Sequence, residues 1–407
     1  MDRGISPPPL KRQRVQSTLQ ENLSSQPRSQ SSVGHGLGPT SVRVFTWNIN
    51  GIQPFLPAST LPITSFFKPV GQHSKSGLGN TTTTKEKSLP DTVGSPLRAF
   101  LQRHCWPEIL FLQELKISPS DSKTPATLLH AVNSPLPSEN GQDLAQKTRY
   151  KLDFNLPRDK HNARGFGGKL YGVGTLLRED FASRHVATVR HASWDHEGRV
   201  TIVELGQEQT KGGDRPRPLA LINIYAVNGT SAPYRSPDTG RALGTRHDHK
   251  LRVHERLRDE CLGLEGRGFD VVIAGDLNVA RGRLDGWPNL RTYPQQHCLN
   301  RADFNNKFFG DEDNARSEAS SSNNSDSSTT FDGVDAFRAI WGNELRYTYH
   351  PRSGDEWGAS CDRVDLIIVS KSLFDSGRVL QADILDSPQE RGTSDHVPLW
   401  VKLRLCG

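Results

Sequence analysis

"RVFTWNING", Arg43 to Gly51, is an apolar run that ends in two amides and a glycine. Side chains alternate across a strand, so Val44, Thr46, Asn48 and Asn50 are expected on one face and Phe45, Trp47 and Ile49 on the other. A strand with both faces apolar belongs inside a layered fold, and its terminal amides then point together at whatever lies beyond its end. Asn-Gly alone is an ordinary turn signal. The same design recurs, however. "EILFLQE" ends at Glu114, "LALINIYAVN" delivers Tyr225 and Asn228, and "VVIAGDLN" delivers Asp276 and Asn278 on one face. "CDRVDLIIVS" opens beside Asp365, and "TSDHVPLW" sets Asp395 and His396 before the last strand. Polar groups at the ends of strands that share a sheet converge on one site.

Outward from these runs the chain divides into order and additions. Residues 1–40 are rich in Ser, Gln, Pro and Gly and read as a disordered tail. Within it Lys11, Arg12 and Arg14 follow a proline run, a basic cluster of the nuclear-localisation kind; a nuclear site is expected, with the mitochondrion as the alternative. Residues 41–407 read as one catalytic domain with flexible polar insertions at about 52–95, 118–148 and 309–330. The stretch from Lys250 to Gly263 has loosely helical spacing. Strands outnumber clear helices, in an order that suggests an α/β fold of two packed sheets with helices outside.

Composition narrows the class. The net charge of +6 suits a nucleic-acid partner. Five scattered cysteines show no zinc-ligand spacing and read as reduced thiols. No apolar run reaches the roughly 20 residues that span a bilayer, so no membrane association is expected. Carboxylates and amides without clustered His or Cys make an oxygen-rich site suited to Mg²⁺ or Mn²⁺. Such a site, with a carboxylate to take a proton from water and an Asp-supported His, fits phosphoester hydrolysis. No G-x-S-x-G occurs, which leaves a serine nucleophile unsupported.

"TWNING", "LQELKI", the Gly-Arg-Val at 198–200, "GDLNVAR", "RVDLIIVS" and "SDHVPL" follow one another in an order that resembles the endonuclease/exonuclease/phosphatase superfamily, within it the exonuclease III type of abasic-site endonuclease. The "NING" form and the run from His247 to Asn278 are similar to the endonuclease 2 branch. The resemblance implies a deoxyribonuclease-I-like, four-layered α/β sandwich with two mainly antiparallel sheets. It implies Glu114 as the main metal ligand with Asn50 and Asp395, and Asp276, Asn278 and His396 completing the metal set. Asp276, Asn278, Tyr225, Asp365 and His396 take catalytic roles, while Asn48, Asn228 and Arg199 contact phosphate or DNA. The expected partner is DNA with abasic sites or blocked 3′ ends, cut by a monomer in base excision repair.

The alternatives are another phosphodiesterase of the superfamily, acting on tyrosyl-DNA, poly(A) or inositol phosphates, and an inactive repair scaffold. The sequence departs from the resemblance in lacking a Trp just before Arg363, with Trp357 as the nearest substitute, and in showing no C-terminal zinc module. Inside the first insertion, Ile63, Phe66 and Phe67 resemble the motif by which repair proteins dock on the DNA sliding clamp. Packing of the two rings against the domain is the competing reading.

Overall fold

The computed structural model describes residues 41–56, 96–117, 121, 123–139, 148–162, 168–206, 216–310, 330–352 and 356–405. The basic cluster of the N-terminal tail and the Ile63, Phe66 and Phe67 segment lie outside these residues. In chain order the strands are β1 (Ser41–Asn48), β2 (Ile109–Gln113), β3 (Tyr150–Asn155), β4 (Val173–Arg178), β5 (Val186–His191), β6 (Val200–Leu205), β7 (Leu219–Tyr225) and β8 (Pro233–Arg235). They continue as β9 (Ala242–Thr245), β10 (Asp270–Asp276), β11 (Gly286–Trp287), β12 (Gly333–Asp335), β13 (Cys361–Asp362), β14 (Asp365–Ser370), β15 (Val379–Ile384) and β16 (Leu399–Arg404). The helices that matter below are α1 (Pro96–Arg103), α2 (Thr124–Asn133), α3 (Glu179–His185), α4 (Arg246–Gly266), α5 (Gln296–Phe308) and α6 (Ala336–Trp341).

Two six-stranded sheets, ordered β15-β16-β1-β2-β4-β3 and β12-β14-β10-β7-β6-β5, form the centre. Each contains one parallel pair, β1 with β2 and β7 with β10, in an otherwise antiparallel ladder. The parallel pairs explain the apolar runs in these strands, because parallel strands are covered on both faces. Val42, Val44, Ile109 and Phe111 from one sheet meet Leu219, Leu221, Val272, Ala274, Ile367 and Val369 from the other in a single buried cluster. Phe45, Trp47 and Leu110 face outward, under Leu97, Phe100 and Leu101 of α1 and Leu128, Ala131 and Val132 of α2. Ile222, Val271 and Ile273 face outward on the other side, under Leu257, Cys261 and Leu264 of α4 and Phe304 and Phe308 of α5. The result is a four-layered α/β sandwich, as expected.

One expectation is corrected here. The segment assigned to a flexible insertion at 118–148 contains α2, which packs Leu128, Ala131 and Val132 into the core. Their i, i+3, i+4 spacing gives the helix one apolar stripe. Behind it the fully buried Arg98 makes two hydrogen bonds of 2.8 and 2.6 Å with Glu139. Likewise Ile52, Phe55 and Leu56, placed in the first insertion, are core residues. The remainder of these insertions, 57–95, 118–120, 122, 140–147 and 311–329, lies outside the described residues.

Register places the polar strand ends side by side. In one sheet Asn48 lies opposite Gln113, one residue before Glu114. In the other, Asp276 lies opposite both Tyr225 and Asp365, so three chemically active residues form one row across three strands. Gly275 makes this row possible: it sits at φ +152°, and a Cβ there would come within 1.9 Å of the Ile224 carbonyl.

Candidate active site

Asn50, Glu114 and Asn278 each follow the end of a strand and adopt left-handed backbone, with φ of 50°, 52° and 53°. This region is uncommon outside glycine, more so for Glu than for Asn, and such residues cluster at functional sites. It also breaks the alternation. Asn48 donates to Glu114 Oε1 at 3.2 Å and to Asp276 Oδ2 at 2.9 Å, whereas Asn50 Nδ2 turns to Asp395 Oδ1 at 2.7 Å. The expectation that both amides share a strand face is therefore corrected, since β1 stops at Asn48. They reach different carboxylates of one cluster.

Asp276 is buried and accepts hydrogen bonds from Asn48, from the backbone N–H of Asn278 at 2.8 Å and from its side-chain amide at 3.3 Å. Burial, and then the negative charge of Asp365, push its carboxyl up to about 7, while the His396 charge pulls the other way. His396 Nδ1 lies 2.7 Å from Asp365 Oδ2. Burial opposes an imidazolium there, but the charge of Asp365 and its hydrogen bond, reinforced by Asp276 and Asp395, raise His396 to about 10. The ring is fixed from its backbone: Trp47 donates to the His396 carbonyl at 3.0 Å, and the His396 N–H donates to Ser394 Oγ at 3.1 Å. Ser394 in turn donates to the Asn48 carbonyl at 2.6 Å, which ties the last loop to β1.

Glu114 is joined by Lys116, whose ammonium stands 2.7 Å from Glu114 Oε2 and also donates to Asn50 Oδ1. The Tyr225 hydroxyl hydrogen-bonds Glu114 as well. Burial works to raise the Glu114 carboxyl, yet Lys116, His396 and Tyr225 together hold it below the usual range. For Tyr225 burial and the Glu114 charge act in the same direction and keep the phenol protonated.

Other expected residues are placed differently. Arg199, expected to contact DNA, is instead consumed internally: its Nε donates to Glu197 at 2.9 Å, its Nη1 donates to the Tyr225 carbonyl at 3.1 Å, and its guanidinium covers the Tyr225 ring at 4.7 Å. Glu197 is a buried carboxylate that also holds Arg246 and His249, so Arg199 is one member of an internal charge network. Asn228 is exposed beyond the end of β7, and among the described residues no hydrogen bond joins it to the cluster. Asn278 also donates to the Ala226 carbonyl at 2.9 Å. Trp357 is half-buried and stacks on His350 at 3.8 Å, and the His350 N–H donates to the Asp395 carbonyl.

Lys116 and Lys250 were not singled out from sequence. Lys116 stands two residues from Glu114 and was legible as its charge partner. Lys250, on α4, is buried and donates to the Asn278 carbonyl at 2.8 Å, a contact that only the packing of α4 on β10 creates.

The donor chemistry fits a hard divalent cation. Glu114, Asn50 and Asp395 supply oxygens only, and the Lys116 ammonium between the first two shows that positive charge is accommodated there. Asp276, Asp365 and His396 also bring potential ligand atoms within 4.8 Å of one another. In the second grouping Asp365 holds the His396 ring in its charged form, whereas the Glu114 side offers oxygen donors alone.

Residues 45–396 match the Endonuclease/Exonuclease/phosphatase family, and the chain belongs to it. No curated protein matches the sequence. Among solved structures, the catalytic domain of Xenopus laevis APE2 is similar at 18% identity, with 90% of this chain and 92% of that one covered and a TM-score of 0.54. AP endonuclease LMAP from Leishmania major has 18% identity, 93% and 92% coverage and a TM-score of 0.55. The 3′ phosphatase NExo from Neisseria, solved with a product DNA hairpin, has 16% identity, 89% and 99% coverage and a TM-score of 0.50. At these identities the likeness establishes the shared fold.

Proposed function

We propose that this member of the endonuclease/exonuclease/phosphatase family is a DNA repair nuclease that hydrolyses the phosphodiester on the 5′ side of abasic sites, with 3′-to-5′ exonuclease and 3′-end-cleaning activity. The observation that carries a phosphoester-hydrolysing reading is the Asp276 cluster: one buried carboxylate bonded to Asn48 and Asn278, with the Asp365–His396 pair and Glu114 beside it. The abasic-site specificity rests on the motif wording "LQELK" and "NIYAVNG" and on the names of the similar solved proteins.

Each residue has a role its surroundings support. Asp276, with its carboxyl near 7, is poised to take a proton from a water at neutral pH, and Asn48 and Asn278 hold that carboxylate and the water in line. Attack of the water oxygen on phosphorus breaks the bond to the 3′ oxygen, which takes up a proton from solvent, and leaves a 3′-hydroxyl and a 5′-phosphate. The His396 imidazolium, oriented by Asp365, donates toward the phosphoryl oxygens as negative charge grows on them. The Tyr225 hydroxyl is kept neutral and remains a donor at the same place. Glu114, Asn50 and Asp395 would hold Mg²⁺ or Mn²⁺, which when bound neutralises charge on the phosphate. His396 acts in this reading as a proton-bearing donor rather than as a metal ligand.

The test is a set of steady-state rates, measured side by side on an abasic duplex, a recessed 3′ end and a 3′-phosphate end. Incision directly 5′ of the lesion, leaving an extendable 3′-hydroxyl, is expected. Hydrolysis of poly(A) or inositol phosphates with no cleavage of any DNA would overturn the DNA reading in favour of another branch of the family.

A further inference from the structure

The loop between β10 and α5 displays apolar side chains beside the site without covering them. Trp287 is 40% exposed, Tyr293 86%, and Leu299 at the start of α5 55%. Isolated exposed apolar residues are ordinary, but three on one segment call for a cause. The loop is also firmly held. Arg301 on α5 donates to the Ala280 carbonyl at 2.7 Å and to the Arg291 carbonyl at 2.6 Å, and the Cys298 thiol lies 3.4 Å from the Thr292 carbonyl. On the far side of Tyr293, the His297 N–H donates to the Pro294 carbonyl at 2.9 Å. The most exposed aromatic ring of the loop thus stands on backbone fixed on both sides.

The loop borders the catalytic cluster through a short chain of contacts. β11 pairs with β13, and the Asp362 N–H donates to the Tyr349 carbonyl at 3.1 Å. The Tyr349 ring lies 5.1 Å from the ring of His396. Arg291 is exposed, and its charge acts on Asp362, Tyr349 and His297. Among the described residues no hydrogen-bond acceptor engages its guanidinium. Two residues apart, then, the rim carries an exposed cation with no hydrogen-bond acceptor among the described residues and an open aromatic ring.

The geometry points to a further substrate contact, in which Tyr293 stacks on a base that has left the duplex beside the scissile phosphate and Arg291 pairs with the adjoining phosphate. This contact rests on the nuclease reading above and adds a preference to it. A base inside the duplex has both faces covered by its neighbours, and one at a blunt end is still held by its pairing partner, whereas an unpaired base is free to present a face to a ring whatever its identity. The positive charge beside the ring matches the backbone that carries that base. The loop therefore favours DNA with frayed or single-stranded nucleotides at the cleavage point.

Binding of the full-length chain to fluorescent DNA in EDTA, where cleavage is stopped, tests this with two ligands: a fully paired blunt hairpin and the same hairpin with an unpaired 3′ nucleotide. Tyr293→Ala is expected to weaken binding of the unpaired form about tenfold and of the paired form far less, and Tyr293→Phe to retain wild-type affinity. Arg291→Ala is expected to flatten the dependence of log Kd on log salt by about 0.7 to 0.9, the signature of one phosphate contact. Wild-type affinity of Tyr293→Ala for both forms overturns the contact while leaving the nuclease reading standing, as does equal weakening of both forms. A wild-type chain that neither binds nor cuts DNA overturns the nuclease reading and the contact with it.

Discussion

The seam between the two sheets has two ends built on opposite principles. At one end Val44, Ile109, Phe111, Leu221, Val272 and Ile367 meet with no polar atom among their side chains. At the other, Gln113 donates to Thr46 at 2.9 Å and to Asn223 at 2.8 Å, and Asn223 donates to the Gly174 carbonyl at 2.9 Å and to Thr175 at 3.2 Å. All four of these side-chain partners are buried, and the active-site cluster begins immediately beyond them. Apolar contact has little directionality and sets how closely the sheets approach. Hydrogen bonds have strict geometry and fix which residue faces which. The apolar end therefore supplies most of the stability, and the polar end supplies the alignment that lets Asn48 of one sheet reach Asp276 of the other.

Substitutions at each end should have separable effects. Glu114→Ala is expected to reduce DNA cleavage at saturating Mg²⁺ by more than about 10³-fold, with an unchanged melting transition; cleavage within tenfold of wild type would remove Glu114 from the site. At the opposite end, Phe111→Ala should lower unfolding free energy by about 3–5 kcal/mol in a denaturant titration while the remaining folded fraction keeps its turnover. A full loss of turnover without a stability change would invert the contrast between the two ends. His396→Asn is expected to slow the reaction by about 10²-fold or more, as for other donors aimed at developing charge.

The polar layer should show an intermediate signature. Asn223→Ala leaves the Gln113 amide with one partner fewer in a buried place, so a loss of about 1–3 kcal/mol is expected together with a fall in turnover from misaligned sheets. Unchanged turnover would mean that the apolar end alone aligns the site. The smallest effect is on pH dependence. The His396 pKa is raised in the folded chain, so its contribution to stability is complete below 6.5 and declines as the pH rises toward 10. His396→Asn should flatten that alkaline decline in thermal melts recorded across the range; an identical decline in the variant would assign it to other groups.

The sequence made the strand runs legible because burial on both faces leaves an unbroken apolar signature, and it made their polar endings legible because each interrupts such a run. Glu114, Asp276, Asp365 and His396 stood out for this reason. α2 was hidden, since its apolar run "ATLLHAV" is short and is flanked on both sides by the polar stretches "SPSDSKT" and "NSPLPSENGQ". The backbone reversals at Asn50, Glu114 and Asn278 were hidden as well, because strand alternation holds only while the ladder continues.

What the sequence by itself determined is the set of chemical groups: oxygen donors, one supported imidazole and a phenol, each carried to a strand end by local periodicity. Their long-range partnerships were decided by the tertiary structure alone. Asn48 and Asp276 are separated by 228 positions and His396 and Trp47 by 349, and no local rule links them. Arg199 shows the difference most clearly, since the same Gly-Arg-Val could serve a DNA phosphate until Tyr225 is brought against it and Arg246 and His249 against its neighbour Glu197. A side chain's chemistry is fixed by its residue type. Whether that chemistry is free to act depends on which charges and carbonyls the packing of distant strands sets within about 3 Å of it, the range over which a hydrogen bond forms.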